Sequence, residues 1–230
     1  MEFVAQNWLR VNEIVAEEAV KSGRDSSSVK VMAVTKLHSA DEIRPLLDAG
    51  CRLCGENRLA EAQEKRAVFE REELSLHLIG HLQSNKAKAA VSCFDAVDSI
   101  DSLSTLKKVE SYAATQEKPL SVLLEYNCSG EETKHGFRSE SDLLEALTKA
   151  ASFRWVRING LMTMAALGAD EREARKAFEK LRLLRDKCRR ETGLPLDELS
   201  MGMSSDFRWA VAEGSTVVRI GTALFQGVSF

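Results

Sequence analysis

Apolar residues at the start of the chain recur with the period of an amphipathic helix. Val4, Trp8, Val11 and Val15 follow one another at steps of four and three residues, which places them on one stripe of a helix with about 3.6 residues per turn. Gly23 follows this stripe, and glycine is typical of a helix end. The pattern therefore predicts an N-terminal helix ahead of the remaining elements.

Eight short apolar runs come after this helix. They span Val29–Lys36, Cys51–Gly55, Leu76–Gly80, Ala96–Ile100, Leu120–Tyr126, Trp155–Leu161, Glu198–Met201 and Val217–Gly221. The first run has few polar positions, which is typical of a strand that is covered on both faces. We therefore interpret the eight runs as buried β-strands.

Helical patterns alternate with these strands. Ser39 and Glu42 have the spacing of a capping box, and Ser139–Asp142 is a second cap. The longest helical pattern covers Glu171–Arg190 and begins after Asp170. Alternating strands and helices predict a parallel sheet. We expect an α/β fold, a closed (β/α)₈ TIM barrel, with an open doubly wound sheet as the alternative.

Length and composition fit one globular domain. The chain has 230 residues, of which only three are prolines, and an α/β barrel of this size is ordinary. It contains no Gly/Ser/Pro-rich linker and no repeat of fixed period. We therefore expect a single domain over residues 1–230.

The charge pattern argues against nucleic acid and membranes as partners. The formal net charge is −3, and basic residues form no run beyond pairs such as Arg189-Arg190, so the electrostatic footprint of a nucleic-acid-binding surface is missing. No apolar stretch is long enough for a membrane span. The first ten residues, with Glu2 among them, do not resemble a secretory signal. Five cysteines, an odd number, favour a reducing cytoplasm.

Lys36 stands at the end of the first predicted strand. In a barrel, the C-terminal strand ends form the floor of the active site. Desolvation there lowers the pKa of an amine and makes it nucleophilic toward carbonyls. A solvated lysine that merely follows a strand is the alternative interpretation.

The last two predicted strand-to-helix turns carry small and hydroxyl residues. Ser204 follows the seventh strand and is placed to cap the next helix, while Gly221 and Thr222 follow the eighth. Barrels often bind phosphate between these two loops, where free backbone N–H groups and a helix N-terminus favour an anion. Two ordinary strand-to-helix turns are the alternative.

Arg219 lies two residues before Gly221 and therefore points to the same face of its strand. A buried guanidinium needs an acceptor. Pyridoxal enzymes place an Asp or Arg at the pyridine nitrogen of the cofactor. A structural ion pair inside the barrel explains Arg219 equally well on this residue alone.

Seven segments together resemble one protein family. They are Ala33-Val34-Thr35-Lys36, Gly55-Glu56-Asn57, His77-Leu78-Ile79-Gly80-His81-Leu82-Gln83-Ser84-Asn85-Lys86, Lys134-His135-Gly136-Phe137, Gly160-Leu161-Met162-Thr163-Met164, Ser200-Met201-Gly202-Met203-Ser204-Ser205-Asp206 and Val218-Arg219-Ile220-Gly221-Thr222. In order and spacing the chain resembles the pyridoxal-phosphate homeostasis protein family, whose barrels are related to the N-terminal domain of alanine racemase.

This resemblance implies a pyridoxal 5′-phosphate site. The residues it implies for cofactor binding are Lys36, Asn57, His81, Ser204, Arg219, Gly221 and Thr222. Lys36 is expected to carry the cofactor as a Schiff base, and Arg219 to face the pyridine nitrogen. Ser204, Gly221 and Thr222 are expected to hold the phosphate, whereas Asn57 and His81 match positions near the cofactor without a stated role.

Other chemistries have weaker support. Cys51 and Cys54 form a C-x-x-C, and His77 and His81 lie four residues apart. The cysteines fall on a predicted strand, however, and no helix brings the two histidines to one face, so we expect no metal site. There is no G-x-S-x-G elbow for a serine hydrolase.

Three functions remain open. They are a carrier or buffer of pyridoxal phosphate, a free-standing amino-acid racemase, and a Schiff-base aldolase. The chain ends nine residues after Gly221, so we expect no second domain of the kind that builds the racemase dimer, and we expect a monomer without robust catalysis. The resemblance implies a role in cellular pyridoxal phosphate homeostasis, with apo-enzymes as potential partners and an indirect effect on amino-acid and keto-acid balance.

Overall fold

Eight parallel strands close into a barrel in the computed structural model, which describes residues 2–71 and 73–226. The strands are β1 Lys30–Val34, β2 Leu53–Glu56, β3 Ser75–Leu78, β4 Ala96–Ile100, β5 Leu120–Glu125, β6 Val156–Met162, β7 Glu198–Ser200 and β8 Val217–Ile220. Each pairs with its neighbour in chain order, and β8 pairs with β1 to close the ring. The predicted barrel is confirmed, and closure excludes the open sheet.

Helices surround the barrel on its outside. Within the described residues they are α1 Glu2–Lys21, α2 Ala40–Asp48, α3 Leu59–Arg71, α4 Ala87–Cys93, α5 Leu103–Gln116, α6 Glu140–Ala150, α7 Glu171–Thr192, α8 Phe207–Ala212 and α9 Thr222–Phe225, with a 3₁₀ turn at Ser84–Lys86. No helix in these ranges is long and apolar enough to cross a membrane.

The predicted N-terminal helix is present as α1. Its apolar stripe, with Val4, Trp8, Val11 and Val15, is buried and packs against α2, α8 and α9. The side chain of Asn7 also donates to the carbonyl of Leu224 at 3.1 Å. The helix therefore braces the segment that follows β8, where part of the predicted phosphate site lies.

Local sequence signals set the helix starts. Ser39 and Glu42 form the predicted capping box of α2, and the Asp170 side chain caps α7 in the same way. Ser139 accepts a hydrogen bond from the backbone N–H of Asp142 at the start of α6. Gly193 ends α7 with a φ of 71°, a left-handed conformation that glycine adopts without steric cost.

The first strand is shorter than predicted. It ends at Val34 rather than Lys36, because the chain turns immediately afterwards and Leu37 has a φ of 65°. The backbone N–H of Thr35 still donates to Gly55 at 3.1 Å. Lys36 therefore lies in the loop at the rim of the barrel.

A polar pair lies inside the opposite end of the barrel. The Nδ1 atom of His77 is 3.0 Å from the carboxylate of Asp98, and both residues line a cavity of about 290 Å³ at the N-terminal strand ends. Burial works to lower the pKa of His77, but the carboxylates of Asp98, Glu198 and Asp95 together raise it above its usual value. A polar pair thus occupies a position that apolar side chains fill in many barrels.

Candidate functional site

All seven predicted site residues line one cavity. It has a volume of about 600 Å³, lies at the C-terminal ends of the strands and is lined by Lys36, Asn57, His81, Ser204, Arg219, Gly221 and Thr222, among others. They come from the loops after β1, β2, β3, β7 and β8 and from β8 itself. Closure of the barrel brings them together, as expected for a site at this face.

Lys36 is exposed, so the predicted partial desolvation of its amine is wrong for this state of the chain. The reason is that the strand ends two residues earlier and the side chain projects from a turn. The turn itself is held firmly, because the backbone N–H of Leu37 donates to the Glu61 carboxylate at 2.9 Å. The backbone that carries Lys36 is therefore held in place, and the side chain lines an open pocket.

A buried ion pair supports this turn from below. The ammonium of Lys65 contacts the carboxylate of Glu56 at 2.5 Å and donates to the carbonyl of Thr35 at 2.7 Å. The hydroxyl of Thr35 donates to the same carboxylate at 2.6 Å. Burial raises the pKa of Glu56, although Lys65 and Thr35 oppose this. These contacts link the end of β1, which precedes Lys36, to the end of β2, which precedes Asn57, and to α3.

Four residues that line the pocket after β7 and β8 have unpaired backbone N–H groups. The N–H groups of Ser204, Ser205, Gly221 and Thr222 donate to no residue in the described part of the chain, and all four residues line the cavity. Such a concentration of free N–H groups is able to bind an anion. The hydroxyls of Ser204 and Thr222 add further donors.

The predicted capping role of Ser204 is wrong. The residue preceding α8 is Asp206, whose carboxylate accepts from the backbone N–H of Met203 at 2.6 Å. The hydroxyl of Ser204 instead accepts from the backbone N–H of Ala223 at 3.2 Å. Ser204 thus joins the loops after β7 and β8, a long-range contact that local helix signals do not reveal.

Gly202 and Gly221 allow these two loops to approach each other. Gly202 has a φ of 96°, and a Cβ there would lie 2.5 Å from the Cβ of Ala210. A Cβ on Gly221 would lie 3.3 Å from the Cβ of Val34. A side chain at either position would displace the loop that carries it or narrow the pocket.

Arg219 is buried beneath the pocket. Its two terminal nitrogens donate to the Ser200 hydroxyl at 2.7 Å and to the Thr163 carbonyl at 2.9 Å. Its Nε–H group has no hydrogen-bond partner within residues 2–71 and 73–226. Burial lowers the pKa of Arg219, and the carboxylates of Asp98, Glu125 and Asp206 oppose this. The guanidinium is therefore fixed in orientation, and its Nε–H group is among the donors that remain available.

Glu125 is a pocket residue that the sequence analysis missed. It ends β5, is 4% exposed and lines the cavity, and its carboxylate has no hydrogen bond to another described residue. Burial raises its pKa to about 7, against the attraction of Arg219 and Lys134. A carboxyl group that titrates near neutrality inside a pocket is a candidate acid or base.

A cluster that the sequence analysis did not predict lies at the rim of the cavity. It consists of His81, Asp101 and His135. The Nδ1 atoms of His81 and His135 lie 3.2 and 4.0 Å from the same carboxylate oxygen of Asp101. The two imidazole rings stack with their centroids 3.7 Å apart. Nothing in the local sequence connects these residues, because they follow three different strands.

The loop that contains Lys134 turns back onto the barrel. The ammonium of Lys134 donates to the carbonyl of Ala165 at 2.6 Å and pairs with Glu131. Its charge is therefore compensated by a carboxylate of the same loop. The Asn127 side chain donates to the Glu131 carbonyl at 2.8 Å. These contacts fix the position of His135 at the entrance.

Within the described residues, the two cysteines and the two histidines do not form one cluster of candidate metal ligands. The sulfurs of Cys51 and Cys54 are buried and lie 4.0 Å apart. His77 pairs with Asp98 at the opposite end of the barrel from His81.

Comparisons with known proteins identify relatives over nearly the whole chain. Residues 15–228 match the family model of the alanine racemase N-terminal domain. The chain is 39% identical over 227 residues to the pyridoxal phosphate homeostasis protein of Pseudomonas aeruginosa. The alignment covers 98% of this chain and 96% of that protein.

Two solved structures share the fold. PipY of Synechococcus elongatus with pyridoxal phosphate bound superposes with a TM-score of 0.80 at 36% identity, covering 92% of this chain and 99% of PipY. The alanine racemase of Clostridium difficile 630 superposes with a TM-score of 0.74 at 16% identity, covering 96% of this chain and 60% of the racemase. The second likeness establishes the barrel fold alone.

Proposed function

This chain belongs to the pyridoxal phosphate homeostasis protein family, which has the fold of the alanine racemase N-terminal domain, and on that premise we propose that it is an intracellular carrier or buffer of pyridoxal 5′-phosphate. The cofactor is held reversibly as a Schiff base on Lys36. The protein thereby influences amino-acid and keto-acid balance indirectly, through the apo-enzymes that receive the cofactor.

The observation that carries this proposal is the placement of free donors and an accessible amine in one cavity. Ser204, Ser205, Gly221 and Thr222 present unpaired N–H groups to the cavity that also contains Lys36. An anion such as phosphate satisfies these donors without rearrangement. A ligand that combines a phosphate with an aldehyde matches both features at once.

Arg219 fits the proposed pyridine nitrogen. Bound pyridoxal phosphate supplies an electron sink for amino-acid chemistry. The arginine side chain offers N–H donors and no acceptor, so the Nε–H group of Arg219 would leave the ring nitrogen unprotonated and the sink weak. This favours storage of the cofactor over turnover of amino acids.

One observation favours an amino-acid racemase as the second candidate. Racemisation needs proton transfer on both faces of the substrate, and Glu125, with a pKa raised by burial to about 7, lines the same cavity as Lys36. A measurement of turnover separates the two functions.

The decisive experiment combines turnover with cofactor transfer. The holo-protein is incubated with L- and D-alanine in deuterium oxide, and racemisation and α-proton exchange are followed. We expect negligible racemisation; a rate on the order of 1 s⁻¹ or faster would establish the racemase instead. The holo-protein should also activate an apo-enzyme that requires pyridoxal phosphate, whereas borohydride-reduced holo-protein, in which the cofactor is fixed covalently, should not.

We also propose that the protein is a cytoplasmic monomer. The five cysteines are free, as is usual in a reducing compartment. The exposed large apolar side chains of the described residues are spread singly over α1, α7 and two loops: Phe3, Leu9, Val20, Leu37, Leu167 and Leu183. Scattered residues of this kind do not form a dimer interface. Light scattering at low protein concentration tests this, and a stable dimer would contradict it.

A further inference from the structure

Three consecutive loops bring metal-ligating side chains together at the rim of the cavity. His81 follows β3, Asp101 follows β4 directly, and His135 lies in the loop after β5. One ligand atom from each lies within 4.8 Å of the other two. Because the three strands are neighbours in a closed barrel, their loops have a fixed separation.

We propose that His81, Asp101 and His135 bind a divalent transition-metal ion of the zinc class at the entrance of the cavity. Two imidazoles and one carboxylate are an ordinary ligand set for Zn²⁺, and three protein ligands leave a coordination position open. His81 and His135 also line the cavity, so a bound ion would lie beside it.

The observed distances suit such a site. Zinc binds nitrogen and oxygen at about 2.0–2.1 Å, which places tetrahedral ligand atoms about 3.3 Å apart. The two Nδ1 atoms lie 3.2 and 4.0 Å from the Asp101 oxygen. The imidazole rings are parallel to within 10°, so they must tilt toward each other to share an ion, and the 35% and 54% exposure of the two side chains permits this movement.

The surrounding contacts orient the Asp101 carboxylate, and no Lys or Arg of the described residues pairs with it. The hydroxyl of Thr105 donates to the other oxygen of Asp101 at 3.4 Å, the kind of outer contact that orients a metal ligand. Lys134, the basic residue next to His135, is engaged with Glu131 and with the carbonyl of Ala165. Negative charge at the rim is therefore available to an ion.

Isothermal titration of the cofactor-free, full-length protein with Zn²⁺ tests the proposal. We expect one equivalent to bind, with an affinity that falls at least about tenfold in His135→Ala and in Asp101→Asn. His38→Ala is the matched control, because it removes another imidazole of the cavity wall, and it should bind as the unchanged protein does. Circular dichroism verifies that each variant is folded.

Titration with Co²⁺ identifies the ligands by a second route. Binding through nitrogen and oxygen should give visible d–d bands without the intense thiolate bands that Cys51 and Cys54 would produce. Absence of binding, binding unchanged in His135→Ala and Asp101→Asn, or thiolate bands would each overturn the proposal. Lys36→Ala should bind the metal normally, so failure of the metal site and failure of the proposed cofactor function are distinguishable.

Discussion

The ammonium of Lys65 donates to the carbonyl oxygen of Thr35, 2.7 Å away, directly before the residue proposed to carry the cofactor. The same ammonium pairs with Glu56, and both side chains are almost completely buried. Buried charges are costly unless each is matched. The pair therefore gives the turn at Lys36 its rigidity only as long as both members are present.

Lys65→Met should destabilise the protein strongly. The substitution leaves the Glu56 carboxylate buried without its cation, a change that typically costs about 3–5 kcal/mol. Urea unfolding measures the loss. The double variant Lys65→Met/Glu56→Leu removes both charges and should recover much of it. A single variant that unfolds like the unchanged protein would contradict the proposed role of the pair.

Lys36→Ala should abolish the visible absorption of bound pyridoxal phosphate and the covalent labelling by borohydride. The side chain is exposed, so its removal should leave stability nearly unchanged. Lys30→Ala is the matched control, since this exposed lysine lies at the other end of β1. Persistence of the absorption band in Lys36→Ala would place the cofactor on another amine.

Gly221→Val should weaken pyridoxal phosphate far more than unphosphorylated pyridoxal. A Cβ at this position already lies 3.3 Å from the Cβ of Val34, so a larger side chain must displace Val34 or the loop that carries the unpaired N–H groups. The two ligands are compared by titration and visible absorption. Equal losses of affinity would mean that the phosphate binds elsewhere.

Several features with a local sequence signal were predicted correctly, although the Ser204 cap and the end of the first strand were not. The strand runs set the barrel, and the caps at Ser39 and Asp170 set two helix starts. The seven predicted site residues line one cavity because β/α loops of any barrel meet at one face. Their individual roles in binding a cofactor stay predictions.

Features that arise from contacts between loops were missed. Asp101 and His135 meet His81 only after β3, β4 and β5 are adjacent. The bond between Ser204 and Ala223 joins residues that are 19 positions apart. No periodicity or cap within one segment records such contacts, since they depend on how far each loop reaches after the barrel has closed.

Glu125→Gln should make the protein more stable at alkaline pH. Burial raises the pKa of Glu125 from 4.5 to about 7 in the folded protein, so between these values the folded state binds more protons than the unfolded chain. The contribution of Glu125 to the free energy of unfolding therefore falls as the pH rises through this interval. Glutamine is uncharged at every pH, so its contribution to the free energy of unfolding does not fall in this interval.

The stability difference between Glu125→Gln and the unchanged protein should accordingly grow by ~3 kcal/mol from pH 4.5 to pH 8, at about 1.4 kcal/mol for each unit of pKa shift. Urea unfolding across this range measures it. Glu145→Gln, on the exposed surface of α6, controls for the general effect of removing one negative charge. A difference that is the same at both pH values would mean that Glu125 is ionised at little cost in the pocket, and its candidacy as an acid or base near neutral pH would then be lost.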